Sequence, residues 1–473
     1  MPHKATTRFA PSPTGYLHIG GLRTALYSYL WAKKTNGEFK LRIEDTDLAR
    51  NSEDAVKAIL ESFEWVGMPS DCTIEYQSKR FDIYKKYIDE LLENGKAYKC
   101  YMSKDELASL RATQEANKQN PRYDGTWRPD EGKTLPAVPT EIEPVIRIKA
   151  PLTGTYEFED GVKGAMSFEA NQVDDFVIAR ANGVPTYNFV VAVDDALMGI
   201  TDVLRGDDHL SNTPKQLVIY NALGFDIPKF AHIPMINNPA GKKLSKRDGA
   251  MDVMEYKRLG YLPEALLNFL VRLGWSNGDQ EIFSLDEMLE LFDPTDINKS
   301  ASAYNEEKLL WLNAHYIKES ANDKLEELLK FYGLDISDYE NKDAILTLCK
   351  DRSNTMIELK DGIEMILNAP NEYNAKGAKK FVKENTFDML EKYMVLLETN
   401  KDSLNSVEDI ENLTKPFITD NELKFPQLFQ PIRLSLTGGT NAPSVYDMIA
   451  IIGVDETNAR IQTAIKANFG KEV

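Results

Sequence analysis

The residues best suited to chemistry in this sequence lie near its start, where His18-Ile19-Gly20-Gly21 begins an apolar helical pattern. The first turn of a helix presents backbone N–H groups without partners and the positive end of the helix dipole. Gly20 and Gly21 let a bulky anion approach the backbone, and His18 adds a side-chain donor. These features suit a phosphate or a developing negative charge. They also suit a tight glycine-rich turn that is capped by His18.

A second group of residues forms a basic loop far downstream, between Gly241 and Gly249. The glycines at both ends indicate a mobile segment. Mobile cations can hold a triphosphate and stabilise departing pyrophosphate as charge develops on it. A solvated loop without a ligand has the same composition. The polar residues of the loop are Lys242, Lys243, Ser245, Lys246 and Arg247.

A third group consists of Arg8, Glu44 and Arg205, which fall at or just after the ends of predicted strands. In an open α/β sheet, ligands bind beyond the carboxyl ends of the strands. A guanidinium pairs with a carboxylate and an acidic side chain takes an ammonium, so this set could recognise an amino acid. An internal network of ion pairs is the other interpretation.

The elements that position these groups follow from the order of patterns along the chain. A strand at 6–9, a Gly/Pro loop, a helix from Ile19 and a strand at 39–43 predict a parallel β-α-β unit. Amphipathic helices are predicted at 51–66 and 81–94. The apolar run Tyr187–Val193 predicts a buried parallel strand. Further strands are predicted at about 200–205 and 231–236, with a helix at 212–223 between them.

The rest of the chain divides into two kinds of structure. Residues 96–186 read as an α+β block, with a capping box at Ser103 and Glu106 and a turn at Asn182-Gly183. From Met251 the patterns are mostly helical. The sequence therefore predicts an α/β catalytic domain that is interrupted by an insertion and followed by helical domains.

Bulk composition excludes several classes of protein. The chain has 473 residues, a hydrophobic fraction of 42% and three scattered cysteines, which is typical of a globular protein of a reducing cytoplasm. No apolar run reaches the roughly 18 residues that a membrane span needs, and no signal peptide is expected. The net charge of −18 argues against a simple nucleic-acid binder, although local basic surfaces can still bind RNA.

Several motifs resemble one family. The stretch Pro11–Gly21, PSPTGYLHIGG, matches the HIGH motif of class I aminoacyl-tRNA synthetases, and its opening resembles the glutamyl members. The stretch Gly241–Asp248 resembles their KMSKS loop, with Leu244 and Arg247 as departures. Arg205–His209 resembles a strand-end motif of the class. Residues 430–438 resemble the C-terminal domain of the bacterial-type glutamyl enzymes.

The resemblance implies a domain organisation. A Rossmann-type catalytic domain would comprise residues 1–95 and 187–250, and an inserted α+β domain at 96–186 would bind the tRNA acceptor end. A helical stem-contact region would span 251–320, and an all-α anticodon-binding domain would span 321–473. The implied enzyme is a cytoplasmic monomer that acts on glutamate, ATP and tRNA(Glu), with Mg²⁺ on the phosphates.

The resemblance also implies roles for particular residues, with His18 and Lys246 as the catalytic pair. ATP would be bound by His18, Gly20, Gly21, Lys243, Ser245 and Lys246. Glutamate would be bound by Arg8, Ser12, Glu44, Tyr187 and Arg205. Within this set, Glu44 is expected to bind the α-amino group, and Arg8 and Arg205 the side-chain carboxylate.

Some relatives carry a zinc site in the insertion, but the matching positions here are Cys100, Met102, Trp127 and Pro129. One thiolate cannot make a four-ligand zinc site, so we expect no structural zinc and a core role for Cys100. Three alternatives to the leading hypothesis stay open: a small-molecule nucleotidyltransferase, an RNA-binding protein with a decayed catalytic fold, and an enzyme that also charges tRNA(Gln).

Overall fold

The computed structural model describes residues 3–47, 51–244 and 251–470. The chain divides into two compact units, Met1–Tyr256 with Leu266–Glu306, and Lys257–Ala265 with Glu307–Val473. Within the described stretches, no helix is both long enough and apolar enough to span a bilayer.

The first unit begins with the predicted β-α-β arrangement. Strand β1 (Thr6–Phe9) leads into helix α1 (Ile19–Lys34), and β2 (Glu38–Ile43) returns parallel to β1. Gly37 permits this return, because a Cβ at that position would collide with the carbonyl oxygen of Ala5. The short β3 (Glu75–Tyr76) pairs in parallel with β2.

A second group of strands lies on the other side of β1. Strands β9 (Asp202–Gly206) and β10 (Lys229–Ile233) are parallel, and β10 also pairs in parallel with β6 (Thr155–Asp160). The Thr201 amide donates to the Thr6 carbonyl at 2.9 Å, so β9 starts beside β1. The chain proceeds from β1 to β2 on one side and from β9 to β10 on the other, so the strand order reverses between β1 and β9.

The predicted strand at Tyr187–Val193 is wrong, because these residues begin helix α5 (Tyr187–Leu197). The helix is buried from Phe189 to Asp195 and therefore has no polar stripe to reveal its period. A short apolar run rich in β-branched residues does not distinguish a buried strand from a buried helix. As a consequence, Asp194 and Asp195 project from a helix into the interior of the unit.

Part of the predicted insertion belongs to the main sheet. The hairpin of β6 with β7 (Gly164–Glu169) extends the sheet beyond β10, while β4 (Ala97–Cys100), β5 (Val145–Ile148) and β8 (Val177–Ala179) form a separate antiparallel sheet. The predicted capping box is present at the start of α4 (Lys104–Ala116). The predicted turn is also present, with Gly183 at a φ of 79°.

The remaining described elements of the first unit are short helices and one small sheet. The helices are α2 (Glu53–Trp65), α3 (Phe81–Glu93), α6 (Thr213–Leu223), α7 (Val253–Arg258), α8 (Pro263–Arg272) and α9 (Leu285–Leu291). The small sheet pairs β11 (Ile236–Asn237) with β12 (Ser302–Ala303), a short strand in a region predicted to be helical.

The described part of the second unit is helical. Its core includes the fully buried side chains of Leu390, Tyr393, Ile432 and Leu434. The helices are α10 (Glu306–Glu319), α11 (Asn322–Phe331), α12 (Lys342–Lys350), α13 (Met356–Leu367), α14 (Ala375–Phe381), α15 (Thr386–Thr399), α16 (Val407–Asp420), α17 (Phe425–Thr437) and α18 (Val445–Lys466). Helix α18 is interrupted at Gly453, which has a φ of 81°.

Candidate active site

The carboxyl ends of β1, β2 and β9 open into a cavity of about 290 Å³. The cavity lies where the strand order reverses, which is where open α/β sheets bind ligands. The structure brings these predicted residues together around it: Arg8, Ser12, His18, Gly20, Gly21, Glu44, Tyr187, Arg205 and Lys243. The other two predicted positions, Ser245 and Lys246, lie outside the described residues.

His18 caps helix α1 at the wall of the cavity. Its Nδ1 accepts a hydrogen bond from the Gly21 amide at 3.2 Å. The two glycines pack closely, because a Cβ on Gly20 would lie 3.1 Å from the His18 ring and one on Gly21 would lie 2.8 Å from Leu17. The tight capped turn and the cavity wall are thus formed by the same residues, so the two interpretations of this motif are compatible.

Arg205 is a buried cation that is held by uncharged acceptors. Its Nε donates to His232 Nε2 at 3.0 Å, its Nη1 to Gln216 Oε1 at 2.7 Å and its Nη2 to Thr213 Oγ1 at 2.8 Å. Among the described residues, no carboxylate forms an ion pair with it. Burial lowers the pKa of Arg205 to about 10. Because an unpaired buried charge is unfavourable, this guanidinium is suited to an anionic ligand.

Arg8, in contrast, is paired with an acidic residue that the sequence analysis did not identify. Its Nε and Nη2 donate to the two carboxylate oxygens of Asp195 at 3.1 and 3.2 Å, and Arg42 Nη1 donates to the same carboxylate at 2.6 Å. Burial would raise the pKa of Asp195, but the two guanidiniums hold this pKa below its usual range. Arg8 therefore belongs to an internal ion-pair network that compensates its charge, and its role toward a ligand stays a prediction.

Glu44 follows β2 and is also largely buried. Its side chain is 8% exposed and accepts a hydrogen bond from Arg42 Nη2 at 3.1 Å. Burial raises the pKa of Glu44 above its ordinary value, although the Arg42 guanidinium acts in the opposite direction. A cationic group in the cavity would stabilise the ionised form of this carboxylate.

The remaining predicted residues line the more open side of the cavity. Tyr187 is 40% exposed, and its hydroxyl lies 3.1 Å from His209 Nδ1. Lys243 Nζ lies 3.4 Å from a carboxylate oxygen of Asp208. Ser12 is exposed in the loop after β1. The placement of these residues is clear, and their roles toward a ligand stay predictions.

Sequence reasoning missed four residues that hold Arg205 in place directly or through a neighbour, namely Thr213, Gln216, His232 and Asp160. Gln216 lies in an apolar helix, His232 lies in an apolar strand, and Asp160 lies at the end of β6, where its carboxylate contacts His232. One signal was available, since a histidine inside the apolar run Ala231–Ile236 is an unusual buried polar residue.

Cys100 lies in an apolar cluster of the antiparallel sheet, with Tyr98, Tyr123 and Trp127 around it. The side chain is 1% exposed, in keeping with the core role expected for it. Among the described residues, no group of three or more His, Cys, Asp or Glu side chains is arranged to hold a metal ion.

Comparison with known proteins defines the class. The family described as tRNA synthetases class I (E and Q), catalytic domain, matches residues 4–311, and the family described as anticodon binding domain matches residues 319–465. The chain thus combines a Rossmann-like class I tRNA synthetase catalytic domain with a helical C-terminal anticodon-binding domain, which confirms the predicted fold class.

Individual relatives narrow the assignment. The chain is 72% identical to glutamate–tRNA ligase 1 of Aliarcobacter butzleri (strain RM4018), over 98% of this chain and 99% of the relative, and 60% identical to glutamate–tRNA ligase 1 of Sulfurovum sp. (strain NBC37-1), over 97% and 98%. The crystal structure of a glutamate tRNA ligase from Elizabethkingia meningosepticum CCUG26117 in complex with its amino acid superposes with a TM-score of 0.87 at 33% identity, over 98% of this chain and 99% of that one. The chain belongs to the glutamate–tRNA ligase family.

Proposed function

We propose that this aminoacyl-tRNA synthetase attaches glutamate to tRNA(Glu) in two steps. The α-carboxylate of glutamate first attacks the α-phosphate of ATP, which gives glutamyl-adenylate and pyrophosphate. A hydroxyl of the terminal ribose of tRNA then attacks the acyl group and AMP leaves. Neither step needs a side-chain nucleophile, so the protein acts by positioning and by stabilising charge.

The observation that carries this proposal is the buried guanidinium of Arg205, which lacks a carboxylate partner among the described residues. The side-chain carboxylate of glutamate would supply the missing charge. The uncharged amide of glutamine would leave the cation unpaired, and such a mismatch is strongly discriminating. Glu44 would bind the α-ammonium group, while Arg8, Ser12 and Tyr187 would complete the pocket.

The ATP phosphates would lie at the start of α1, against His18, Gly20 and Gly21, and Lys243, which also lines the cavity, would contact them. Ser245 and Lys246 are assigned to the same task by resemblance. Mg²⁺ usually binds triphosphates through phosphate oxygens, water and at most one or two carboxylates. The described residues offer no larger ligand set, so Mg²⁺ would be bound by the phosphates of ATP itself.

The domain roles are part of the same proposal. Residues 96–186 would bind the acceptor end, residues 251–320 would contact the stem, and residues 321–473 would bind the anticodon region of the tRNA. The enzyme would work as a monomer in the cytoplasm, where its substrates occur and where its scattered cysteines stay reduced.

ATP–pyrophosphate exchange with glutamate, run with and without tRNA(Glu), tests the proposal. The expected result is exchange that requires tRNA, together with charging of tRNA(Glu). Exchange without tRNA would favour a small-molecule nucleotidyltransferase, and no exchange in either assay would favour an RNA-binding protein. Nothing in the comparisons favours these two alternatives.

Arg205→Ala tests the pocket. Removing the guanidinium should lower kcat/KM for glutamate roughly a hundredfold or more, because the substrate carboxylate is then buried without its partner. Arg205→Lys, which keeps the charge and loses the planar fork, should be intermediate. An Arg205→Ala enzyme that charges tRNA as efficiently as the wild type would show that Arg205 is structural.

A further inference from the structure

Arg205 is the end of a buried chain of hydrogen bonds. Asp160 Oδ2 contacts His232 Nδ1, and His232 Nε2 accepts from Arg205 Nε at 3.0 Å. Asp160 and His232 are 2% and 0% exposed. The other oxygen of Asp160 accepts from the amides of Val162 and Lys163 at 3.0 and 2.8 Å, so this carboxylate is fixed to the turn after β6.

The donors in this chain determine the tautomer of His232. An arginine has N–H groups only, so the nitrogen that faces Arg205 must carry a lone pair. The ring proton then resides on Nδ1 and is donated to Asp160. Burial and the nearby charge of Arg205 together lower the pKa of His232, although the Asp160 carboxylate raises it, so the ring is neutral near pH 7.

This arrangement orients Arg205 without neutralising it. A carboxylate in direct contact with the guanidinium would compete with the substrate carboxylate. Asp195 is in such contact with Arg8. Because His232 lies between them, the Asp160 carboxylate does not contact the Arg205 guanidinium directly. Of the five N–H groups of Arg205, three are used in the protein, which leaves one on each terminal nitrogen for a carboxylate.

We propose that His232 and Asp160 are positioning residues that hold Arg205 in the orientation that selects a dicarboxylic amino acid over its amide. This inference rests on the proposed role of Arg205 in binding the glutamate side chain. The pair acts through Arg205 and touches no substrate. Its loss should therefore change glutamate affinity and selectivity more than turnover or ATP binding.

Two substitutions of His232 separate the contacts of its two ring nitrogens, of which Nδ1 faces Asp160 and Nε2 faces Arg205 and, at 3.2 Å, Thr213 Oγ1. His232→Gln places an acceptor near the position of Nε2 and loses the bond to Asp160, whereas His232→Asn keeps a donor near Nδ1 and loses the acceptor for Arg205. We expect His232→Asn to raise KM for glutamate roughly tenfold to a hundredfold, the scale for residues that orient a ligand-binding group. His232→Gln should be clearly less impaired, and KM for ATP should stay within about twofold in both.

Asp160→Asn provides an independent variant that keeps the acceptor for the turn. Its amide can donate to Nδ1 and force the proton onto Nε2, against the N–H of Arg205, as when a carboxylate that fixes a histidine tautomer is replaced by an amide. The rise in KM for glutamate should match that of His232→Asn, and the preference for glutamate over glutamine should fall. His3→Asn is the matched control, because His3 pairs with Asp202 at 2.7 Å and does not contact Arg205.

The outcomes are distinguishable. An equal rise in KM for glutamate in His232→Asn and His232→Gln would reduce His232 to a packing role and overturn the inference. A wild-type KM for glutamate in folded His232→Asn or Asp160→Asn enzyme would also overturn it. If His232→Asn does not fold, KM for glutamate is compared between His232→Gln and Asp160→Asn. A rise in His232→Gln as large as that in Asp160→Asn would overturn the inference. Wild-type activity of Arg205→Ala would instead overturn the glutamate pocket itself.

Discussion

The ionisation of Glu44 predicts the direction in which KM for glutamate changes with pH. Burial raises its pKa, so the neutral form becomes populated at a higher pH than for an exposed glutamate. If Glu44 binds the α-ammonium group, only its ionised form is competent, and KM for glutamate should rise as pH falls from 8 toward 5. Below the pKa of Glu44 the increase should approach about tenfold per pH unit.

Glu44→Gln should remove this dependence and raise KM most at pH 8, where the wild-type carboxylate is ionised, because an amide keeps the shape of the carboxylate without its charge. At low pH, where Glu44 is neutral, the difference in KM from the wild type should disappear. The measurement is KM for glutamate in the exchange assay as a function of pH. Glu38→Gln is a suitable control, since Glu38 lies on the same strand and its side chain is half exposed. A flat profile for the wild type would contradict the assignment of Glu44.

The two arginines of the cavity illustrate how much of the site could be predicted from single residues. Both occupy strand ends, and the element order was sufficient to bring them to one edge of the sheet. Their environments differ because of partners that are distant in sequence: Asp195 is 187 positions from Arg8, and Asp160 is 72 positions from His232. Such pairs depend on the order of the strands, which no local pattern specifies.

At the scale of elements, periodic helices and strands flanked by turn residues were predictable, as in the β1-α1-β2 unit. Helix α5 was not, because burial on all sides removes the period that distinguishes it from a strand. The error affects the site, since this helix supplies Asp195 to Arg8 and Arg42. Its neighbour Asp194 accepts from Arg80 Nε at 2.8 Å and from the Tyr84 hydroxyl at 2.8 Å.

Asp195→Ala should therefore destabilise the catalytic unit. Removing one carboxylate leaves the guanidiniums of Arg8 and Arg42 buried without their shared counter-ion, a change that typically costs about 3–5 kcal/mol in free energy of unfolding. The control is Glu93→Ala at the exposed end of α3, where a change within about 0.5 kcal/mol is expected.

Urea unfolding followed by tryptophan fluorescence measures this effect, because most tryptophans belong to the first unit. They are Trp31, Trp65, Trp127 and Trp275, whereas Trp311 belongs to the second. An Asp195→Ala protein that unfolds at the wild-type urea concentration would show that the network contributes nothing to stability.

At the scale of the whole molecule, a net charge of −18 should repel a polyanionic tRNA. Binding is still possible if local cationic side chains contact the phosphates of the tRNA. Charges interact over roughly 10 Å at 0.1 M ionic strength, so distant acidic faces are largely screened while direct phosphate contacts persist. The sign of the salt dependence separates these two contributions.

We expect KM for tRNA(Glu) in the charging reaction to rise at least about tenfold between 50 and 200 mM KCl, because each phosphate contact releases counterions that salt then restores. KM for glutamate, measured at saturating tRNA, should change little, because the charges of the cavity are buried and are screened less. The same series with isolated tRNA(Gln) shows whether a second acceptor is charged at any salt concentration. If KM for tRNA(Glu) instead falls as salt is added, long-range repulsion from the acidic surface outweighs the local contacts, and tRNA binding must depend mainly on contacts other than phosphate.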